Sequence, residues 1–311
     1  MSKETNTTAY KAKKKKITVG DISFNIINYA VFIIFTIICI YPFYYLIINT
    51  ISSNDLSNNG VINFLPRKLQ FENYKQVFKL SGLSAAATIS LGRVVIGTLC
   101  TTLASAFLGF MFSQQKMWMR KFWYRFMCIT MYFNAGLIPM YIIMLNLHLN
   151  NSFWVYILPA IVSPFNIILV KTYIESISSS LQEAAEIDGA GIVTIFVRIM
   201  LPISKPILAT IAIFSAVGQW NSFQDTLIYI TDQKLYSLQY LLYKYINEAS
   251  TLANVMKSNG GAAGLANLAT KQTATSIKMT VSVIVVFPIL MVYPFAQRYF
   301  TTGIMIGSVK G

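Results

Sequence analysis

Charged residues are scarce in this sequence, and acidic residues are scarcer than basic ones. Only 12% of the 311 residues are charged, with 11 Asp and Glu against 25 Lys and Arg, whereas 55% are hydrophobic. A soluble domain usually has about twice that share of charged residues. The composition therefore excludes an ordinary soluble protein and predicts one membrane-embedded domain with a short soluble tail.

Residue types that build catalytic and metal sites are also rare. The three cysteines, Cys39, Cys100 and Cys128, lie in apolar segments without metal-type spacing, and His148 is the only histidine. We interpret the cysteines as small buried hydrophobes and the histidine as a lone interfacial residue, so neither predicts an enzyme or a metal site. A Gly-x4-Gly-Lys-Ser/Thr motif is missing too, since the glycine-rich run at 260–264 lacks the lysine. We therefore expect no cofactor on this chain.

The excess of positive charge, a net +14, collects at the ends of apolar runs. That placement favours membrane orientation and anionic lipid headgroups as its role, not nucleic acid. Residues 1–20 form a basic tail that includes four consecutive lysines at 13–16. The apolar run at 26–51 is longer than the roughly 7–15 residues of a signal-peptide core. We expect it to remain as the first spanning helix.

Six apolar segments have about the 20 residues that a helix needs to cross a bilayer. They cover residues 26–51, 85–112, 126–147, 154–173, 207–230 and 277–295. The sequence predicts an all-α membrane protein with a cytoplasmic tail at 1–20 and a six-span domain at 21–311. A short interfacial helix is expected near 73–80 and a polar outer loop at 232–276. Six spans place both termini on one side, and the basic residues at 11–16 and 116–125 favour the cytoplasm for it.

A charged stretch at 180–206, between the fourth and fifth segments, is dense in helix start and stop signals. Ser180 and Glu183 have the spacing of a capping box, and Gly189 is placed to end that helix in a left-handed conformation. A second helical run at 192–200 is expected to stop at Pro202. The pattern predicts a helix, a tight bend and a second helix beside the membrane.

This stretch also resembles a known family. Its Glu-Ala-Ala at 183–185, Gly189 and Ile-x-Leu-Pro at 199–202 are similar to the EAA loop of permease subunits in binding-protein-dependent ABC importers. The alternative is an ordinary amphipathic hairpin between spans. The resemblance implies the type I importer permease fold, in which the loop at 177–206 forms cytoplasmic coupling helices that sit in a cleft of a separate ATPase subunit. It assigns coupling to Glu183, Ala184, Ala185, Glu186, Asp188, Gly189, Leu201 and Pro202.

Other stretches resemble the carbohydrate-uptake class of these permeases, and within it the maltose-permease-like branch for oligosaccharides. They are residues 134–141, 154–159, 218–221 and 302–311. The resemblance implies a bacterial inner-membrane protein that pairs with a second homologous permease subunit. It also implies a dimer of ATPase subunits that bind ATP and Mg, and an extracytoplasmic sugar-binding protein that delivers the substrate.

Polar residues inside apolar spans are costly in lipid and therefore predict a substrate pathway. The fifth segment holds most of them, namely Gln219, Trp220, Asn221, Gln224 and Asp225. On a continuous helix Asn221 and Asp225 would share a face, and an aromatic ring beside amides suits a sugar. The competing interpretation is hydrogen bonding between helices.

Two candidates lie outside the fifth segment. Arg93, in the second span, either meets an anionic substrate group such as a uronate or extends outward to lipid headgroups. Asn134, in the third span, is a candidate for the pathway or for helix packing.

The sequence thus predicts a transport subunit that moves oligosaccharides by ATP-driven alternating access, with uronate-containing sugars as one option and ATP hydrolysis on a partner chain. One alternative is a proton-coupled secondary transporter with Asp225 as the titrating group. A second alternative is a structural or assembly protein without transport.

Overall fold

The computed structural model describes residues 19–80, 82–258 and 274–303, and this part of the chain is helical without a strand. The first seven helices are α1 (Val19–Thr50), α2 (Asn54–Asn58), α3 (Glu72–Phe78), α4 (Leu83–Ser113), α5 (Arg120–Thr130), α6 (Leu137–Asn146) and α7 (Pro164–Glu175). The next seven are α8 (Ser180–Ile187), α9 (Ile192–Ile195), α10 (Leu201–Ile203), α11 (Lys205–Asn221), α12 (Gln224–Tyr229), α13 (Leu238–Ser258) and α14 (Ala274–Gly303). Short 3₁₀ turns at Phe153–Tyr156 and Leu158–Ala160 precede α7, and a π-helical stretch, Phe196–Met200, joins α9 to α10.

Helices α1 and α4 are each long and apolar enough to cross a membrane. Two further candidates are bent: Phe153–Ala160 meets α7 at 45°, and Ile192–Ile203 meets α11 at 78°. Shorter apolar helices are α6 and the Ser276–Val292 part of α14. By length and composition the described residues give two spans, or four if each bent pair is one span. The near-perpendicular bend before α11 agrees with the predicted helix lying beside the membrane.

The predicted third span is not one helix. It is divided into α5 and α6 by residues 131–136, where Gly136 has φ +88° and its N–H donates to Asn134 Oδ1 at 2.9 Å. An Asn side chain that bonds the backbone two residues on stabilises a turn and competes with the helix. The fourth span is likewise interrupted, because Ser163 is extended ahead of Pro164, as expected for a residue that precedes proline.

The predicted fifth span ends early. Helix α11 stops at Asn221, Ser222 is extended with ψ 127°, and α12 begins at Gln224. Asn221 and Asp225 therefore do not share the face of one helix. The predicted polar loop at 232–276 is also wrong over part of its length, because α13 occupies Leu238–Ser258; the glycine run at 260–264 lies outside the described residues.

Helix α4 lies at the centre of the packing, against α7 and α11. Two glycines permit close approach: a Cβ at Gly109 would lie 2.6 Å from Val170 Cβ in α7, and one at Gly97 would lie 2.7 Å from Gln219 Nε2 in α11. Helix α1, in contrast, exposes apolar side chains along most of its length, as expected for a surface that faces lipid or another subunit.

Candidate functional site

Helix α8 begins one residue too early for the predicted capping box. Ser179 is the N-cap residue, and no side chain caps the helix. The backbone N–H groups of Gln182 and Glu183 both donate to the Ser179 carbonyl at 3.0 Å. Ser180 is already helical, and its hydroxyl lies 2.7 Å from that of Ser178. The capping-box prediction is therefore wrong, and the Glu183 side chain lies on the exposed face of α8.

Gly189 ends α8 as predicted, with φ +79°. Its N–H donates to the Glu186 carbonyl at 3.1 Å, and the N–H of Ala190 donates to the Ala185 carbonyl at 2.9 Å. These bonds satisfy the last carbonyls of the helix. A Cβ at Gly189 would meet no described atom within 4 Å. The bend thus requires glycine for its backbone conformation and leaves open space above it.

The second helical run passes through Pro202, contrary to the prediction. Proline lies in the first turn of α10, after the π-helical stretch, and the run ends at Ile203. A π turn shifts the hydrogen-bond register of a helix, which accommodates a residue without an N–H group. Pro206 lies in the first turn of α11, where a missing N–H costs no helical hydrogen bond.

The neighbouring residues Ala184 and Ala185 face opposite sides. Ala185 is buried in a core with Phe110, Val170 and Ile211, so its small side chain serves packing within this chain. Ala184 is exposed, and Ile187 is 86% exposed. We define the loop surface by these exposed residues: Glu183, Ala184, Ile187, Asp188, Gly189, Ile192, Val193 and Pro202. Of the other predicted coupling residues, Glu186 and Leu201 are half-buried.

Four side chains fasten α8 to the end of α4, and we name them the α4–α8 clamp: Gln114, Lys116, Gln182 and Glu186. Buried Gln114 accepts from Gln182 Nε2 at 2.5 Å and donates back at 3.3 Å. Gln182 also donates to one Glu186 oxygen at 3.1 Å, and Lys116 Nζ lies 2.7 Å from the other. The hydrogen bonds from Lys116 and Gln182 lower the pKa of Glu186.

A second ionic cluster lies beside the clamp. Glu175, at the end of α7, bridges Arg120 Nη2 at 2.7 Å and Lys171 Nζ at 2.6 Å. A cavity of about 560 Å³ lies among these groups and the clamp. Sequence reasoning missed both clusters. Their only signal is a basic turn that precedes an acidic loop by some 60 residues, and the sequence does not show that these two segments meet in the fold.

Arg93 reaches from α4 to the break between α11 and α12, and only 2% of its surface is exposed. Its Nε donates to Gln219 Oε1 at 3.1 Å, and its Nη1 donates to the Ser222 carbonyl at 3.2 Å. Nη1 and Nη2 also bond the two carboxylate oxygens of Asp225. The interpretation that Arg93 extends to headgroups is therefore wrong, because the buried cation is held by partners of its own chain.

Tyr156 covers the other side of this pair. Its ring centroid lies 4.3 Å from the Arg93 guanidinium carbon, a cation–π contact. Its carbonyl accepts from Gln219 Nε2 at 3.1 Å, and its hydroxyl donates to the Leu235 carbonyl at 2.7 Å. Gln219 can occupy this place because Gly97 has no side chain.

A cavity of about 580 Å³ opens beside these groups, between α4, the 3₁₀ turns, α7 and α11. We call it the central cavity. Its polar lining includes Arg93, Tyr156, Asn166, Gln219 and Asp225. The structure therefore brings together three of the predicted pathway residues and adds Tyr156 and Asn166, which sequence reasoning missed.

The remaining pathway candidates lie elsewhere. Trp220 is buried, and its Nε1 donates to the Val285 carbonyl of α14 at 3.1 Å, which is a packing contact. Asn221 and Gln224 are exposed at the helix break, and Asn134 is exposed between α5 and α6.

Similarity to known proteins shows which family contains this loop and cavity. The family model described as "Binding-protein-dependent transport system inner membrane component" matches residues 101–306. The chain belongs to this family. It is therefore a transport subunit, an inner-membrane component of a binding-protein-dependent importer. The predicted membership of this permease family is confirmed.

Relatives of this permease are named for sugar transport. The polygalacturonan/rhamnogalacturonan transport system permease protein YtcP of Bacillus subtilis is 31% identical over 93% of this chain and 98% of that protein. Protein LplC of the same organism is 33% identical over 88% and 90%. The arabinooligosaccharides transport system permease protein AraQ of Halalkalibacterium halodurans is 28% identical over 88% and 92%.

A solved structure shares the fold. A chain in the crystal structure of a bacterial ABC transporter involved in the import of the acidic polysaccharide alginate superposes with a TM-score of 0.81 and 26% identity. The superposition covers 92% of this permease and 100% of that chain. The predicted all-α type I importer permease fold is thus confirmed, as is the resemblance to the carbohydrate-uptake class.

Proposed function

We propose that this permease moves oligosaccharides, including those with uronate units, through an ABC importer by ATP-driven alternating access. The sugar class is supported by the relatives named above, two of which are named for the transport of polygalacturonan/rhamnogalacturonan and of arabinooligosaccharides. Two of the similar systems are named for polygalacturonan and alginate, whose sugar units carry carboxylates. Family membership supports an extracytoplasmic binding protein as the source of the substrate.

The loop surface is the proposed contact with the ATPase, and the proposal of ATP-driven transport depends mainly on this surface. Its exposed acidic residues, Glu183 and Asp188, suit basic partners, while Ile187 and Val193 add apolar area. A surface that combines exposed aliphatic side chains with charge is typical of a docking site. In this assembly ATP and Mg are bound by a dimer of ATPase subunits, and a second permease subunit completes the membrane part.

The α4–α8 clamp would make the loop move together with α4. Gln114 is buried and bonds α8 in both directions, and Ala185 packs against Phe110 of α4. Helix α4 also carries Arg93, which holds the wall of the central cavity at the helix break. Displacement of the loop by an ATPase would therefore be transmitted along one continuous helix to the cavity.

The central cavity is the proposed segment of the translocation pathway. Its volume of about 580 Å³ lies within the roughly 300–1,000 Å³ of small-molecule sites, and its amides, phenol and ion pair suit sugar hydroxyls. The fork of Arg93 is already occupied by Asp225 and Ser222. We therefore infer that Arg93 acts chiefly by holding the cavity wall, and that a uronate reaches it only if Asp225 moves away.

The proton-coupled alternative has lost its support. It depended on Asp225 as a lone acidic group within a span, whereas Asp225 is paired with Arg93. Membership of a binding-protein-dependent family also favours an importer driven by a partner ATPase.

Two glycines allow a matched test of the loop. Gly189 and Gly60 both have left-handed φ angles, +79° and +67°, with open space at the Cβ position, but Gly60 lies far from the loop in sequence and outside the loop surface. In proteoliposomes with the ATPase and the binding protein, Gly189→Trp should abolish ATP-driven uptake of an oligogalacturonide, while Gly60→Trp should retain it. Normal uptake by a well-inserted Gly189→Trp protein would refute the coupling role.

A further inference from the structure

The connection after α2 folds back along the end of α1. Asn49 Nδ2 of α1 donates to the Ile62 carbonyl at 3.3 Å. The Tyr44 hydroxyl, further from the end of α1, donates to the Phe64 carbonyl at 2.5 Å. The backbone at 62–64 therefore runs down the side of α1, antiparallel to it.

The same segment then returns to the end of α1. The N–H of Arg67 donates to Ser52 Oγ at 3.1 Å, and its carbonyl accepts from the N–H of Ser53 at 3.2 Å. The N–H of Gln70 donates to the Ile51 carbonyl at 2.8 Å. Residues 62–67 thus form a short loop, fixed at both ends, whose tip is Phe64 and Leu65. We call it the fold-back loop.

The tip lies beside a part of α1 that is well inside the helix. Tyr44 precedes the last residue of α1, Thr50, by six positions, and a helix rises about 1.5 Å per residue, so the Tyr44 backbone lies about 9 Å below the end of α1. Its hydroxyl holds the Phe64 carbonyl beside this part of the helix. The surrounding surface of α1 is exposed and apolar. Helix α1 has 32 residues, a length of about 48 Å against about 30 Å for the hydrocarbon core, so a point about 9 Å below the end of a centred helix lies at the boundary between headgroups and acyl chains.

The side chains of this segment change from apolar at the tip of the fold-back loop to basic where the chain returns to the end of α1. Phe64 is 72% exposed and Leu65 is 71% exposed. One side of the Phe64 ring contacts Tyr41 of α1, with ring centroids 6.0 Å apart, and the rest of both apolar groups is open to the surroundings. Arg67 and Lys68, where the chain returns to the end of α1, are exposed as well. Apolar groups at the tip with two cations above them match the transition from acyl chains to anionic headgroups.

We propose that the fold-back loop is a lipid anchor, with Phe64 and Leu65 inserted among acyl chains and Arg67 and Lys68 at the phosphates. The occupant of this surface is lipid because the tip lies at membrane depth and continues the exposed apolar surface of α1. The anchor would fix the end of α1 relative to the bilayer. This inference requires only that α1 spans the membrane, not that the chain is a sugar importer.

Site-directed spin labelling tests the anchor in the importer complex, reconstituted in nanodiscs of phosphatidylcholine and phosphatidylglycerol. A nitroxide is attached to Leu65→Cys after Cys39, Cys100 and Cys128 are replaced. Asn59→Cys, exposed at the end of α2, is the control for water, and Ile33→Cys, exposed in the middle of α1, is the control for lipid. Collisions with oxygen report lipid, and collisions with a water-soluble nickel chelate report solvent.

The anchor predicts that the Leu65 label collides with oxygen several-fold more often than the Asn59 label and with nickel several-fold less often. Nickel access equal to that at Asn59 would overturn the proposal, because the tip would then be in water. A label inaccessible to both reagents would overturn it too, because a protein subunit would then cover the tip. Uptake by the labelled complex confirms that the fold is retained.

Discussion

Arg93 of α4 bonds both carboxylate oxygens of Asp225, 132 residues later in the chain, beside the break between α11 and α12. Its Nη1 also donates to the Ser222 carbonyl, a group that the interrupted helix no longer bonds. One buried side chain therefore neutralises a charge and satisfies a helix end at once. We infer that this pair keeps the wall of the central cavity in place.

Removal of one partner should be far more harmful than removal of both. Asp225→Ala would leave a buried, uncompensated cation, which typically costs about 3–5 kcal/mol. The double variant Arg93→Met/Asp225→Leu replaces the pair by apolar groups and should recover most of that loss. Thermal unfolding of the detergent-purified complex measures the difference, and equal destabilisation by the single and double variants would contradict the pairing.

The same double variant separates the two roles of Arg93. If Arg93 holds the cavity wall, uptake of a neutral oligosaccharide and of an oligogalacturonide should fall by a similar factor. If Arg93 binds the substrate carboxylate directly, uptake of the acidic sugar alone should fall. Parallel uptake assays with one binding protein that accepts both sugars decide between these roles.

Loss of the α4–α8 clamp should uncouple ATP hydrolysis from transport. Gln114→Ala leaves the Gln182 amide without its buried partner, a loss of about 1–3 kcal/mol at this joint. We expect the complex to assemble and hydrolyse ATP but to move several-fold less sugar per ATP. The adjacent Gln115→Ala is the control, because Gln115 is exposed. An unchanged ratio of sugar to ATP in Gln114→Ala would contradict the transmission along α4.

The ionic part of the clamp should be insensitive to pH in the physiological range. Hydrogen bonds from Lys116 and Gln182 hold the pKa of Glu186 below its ordinary value of 4.5. A lowered pKa in the folded state means that the stabilisation is complete above about pH 4.5 and is lost as the pH falls through the lowered value. Hydrogen exchange of α8 should therefore be constant, after correction for intrinsic rates, from pH 8 to 5 and increase only below that. In Lys116→Ala the increase should begin at a higher pH.

Close packing of α4 predicts opposite effects for two glycines. Gly109→Ala would place a Cβ 2.6 Å from Val170 Cβ and should destabilise by about 1–3 kcal/mol through overpacking. Gly218 in α11 has no described atom within 4 Å of its Cβ position, so Gly218→Ala should be neutral or stabilising by up to about 1 kcal/mol. Unfolding midpoints of the two variants compare these effects directly, and equal midpoints would contradict the packing.

Local signals in the sequence predicted local features correctly. Gly189 is predictable as the left-handed end of α8 because few other residues adopt that conformation, and the long apolar runs correspond to α1 and α4. Features that depend on distant residues were missed or misread. The break at Ser222 carries no proline or glycine signal, and its cause is tertiary: Arg93 bonds the freed carbonyl and Asp225.

The same distinction holds for the candidate site. The loop motif predicts a coupling role for the segment, but it does not reveal that Ala185 faces inward while Ala184 faces outward, since this depends on the packing of α8 against α4 and α7. The polar neighbours of Trp220 in the sequence predict a place in the pathway, yet its indole N–H donates to the Val285 carbonyl of α14. Composition identifies polar residues within a span, whereas the fold decides which of them face a cavity.

The central claim is that the loop surface docks on an ATPase, and the two alanines test it most directly. A benzophenone photocrosslinker attached to Ala184→Cys in the assembled importer should capture an ATP-hydrolysing subunit, identified by mass spectrometry. The same probe at buried Ala185→Cys should capture it much less or not at all. Failure of the probe at residue 184 to reach an ATPase, in a complex that still transports sugar, would contradict the account.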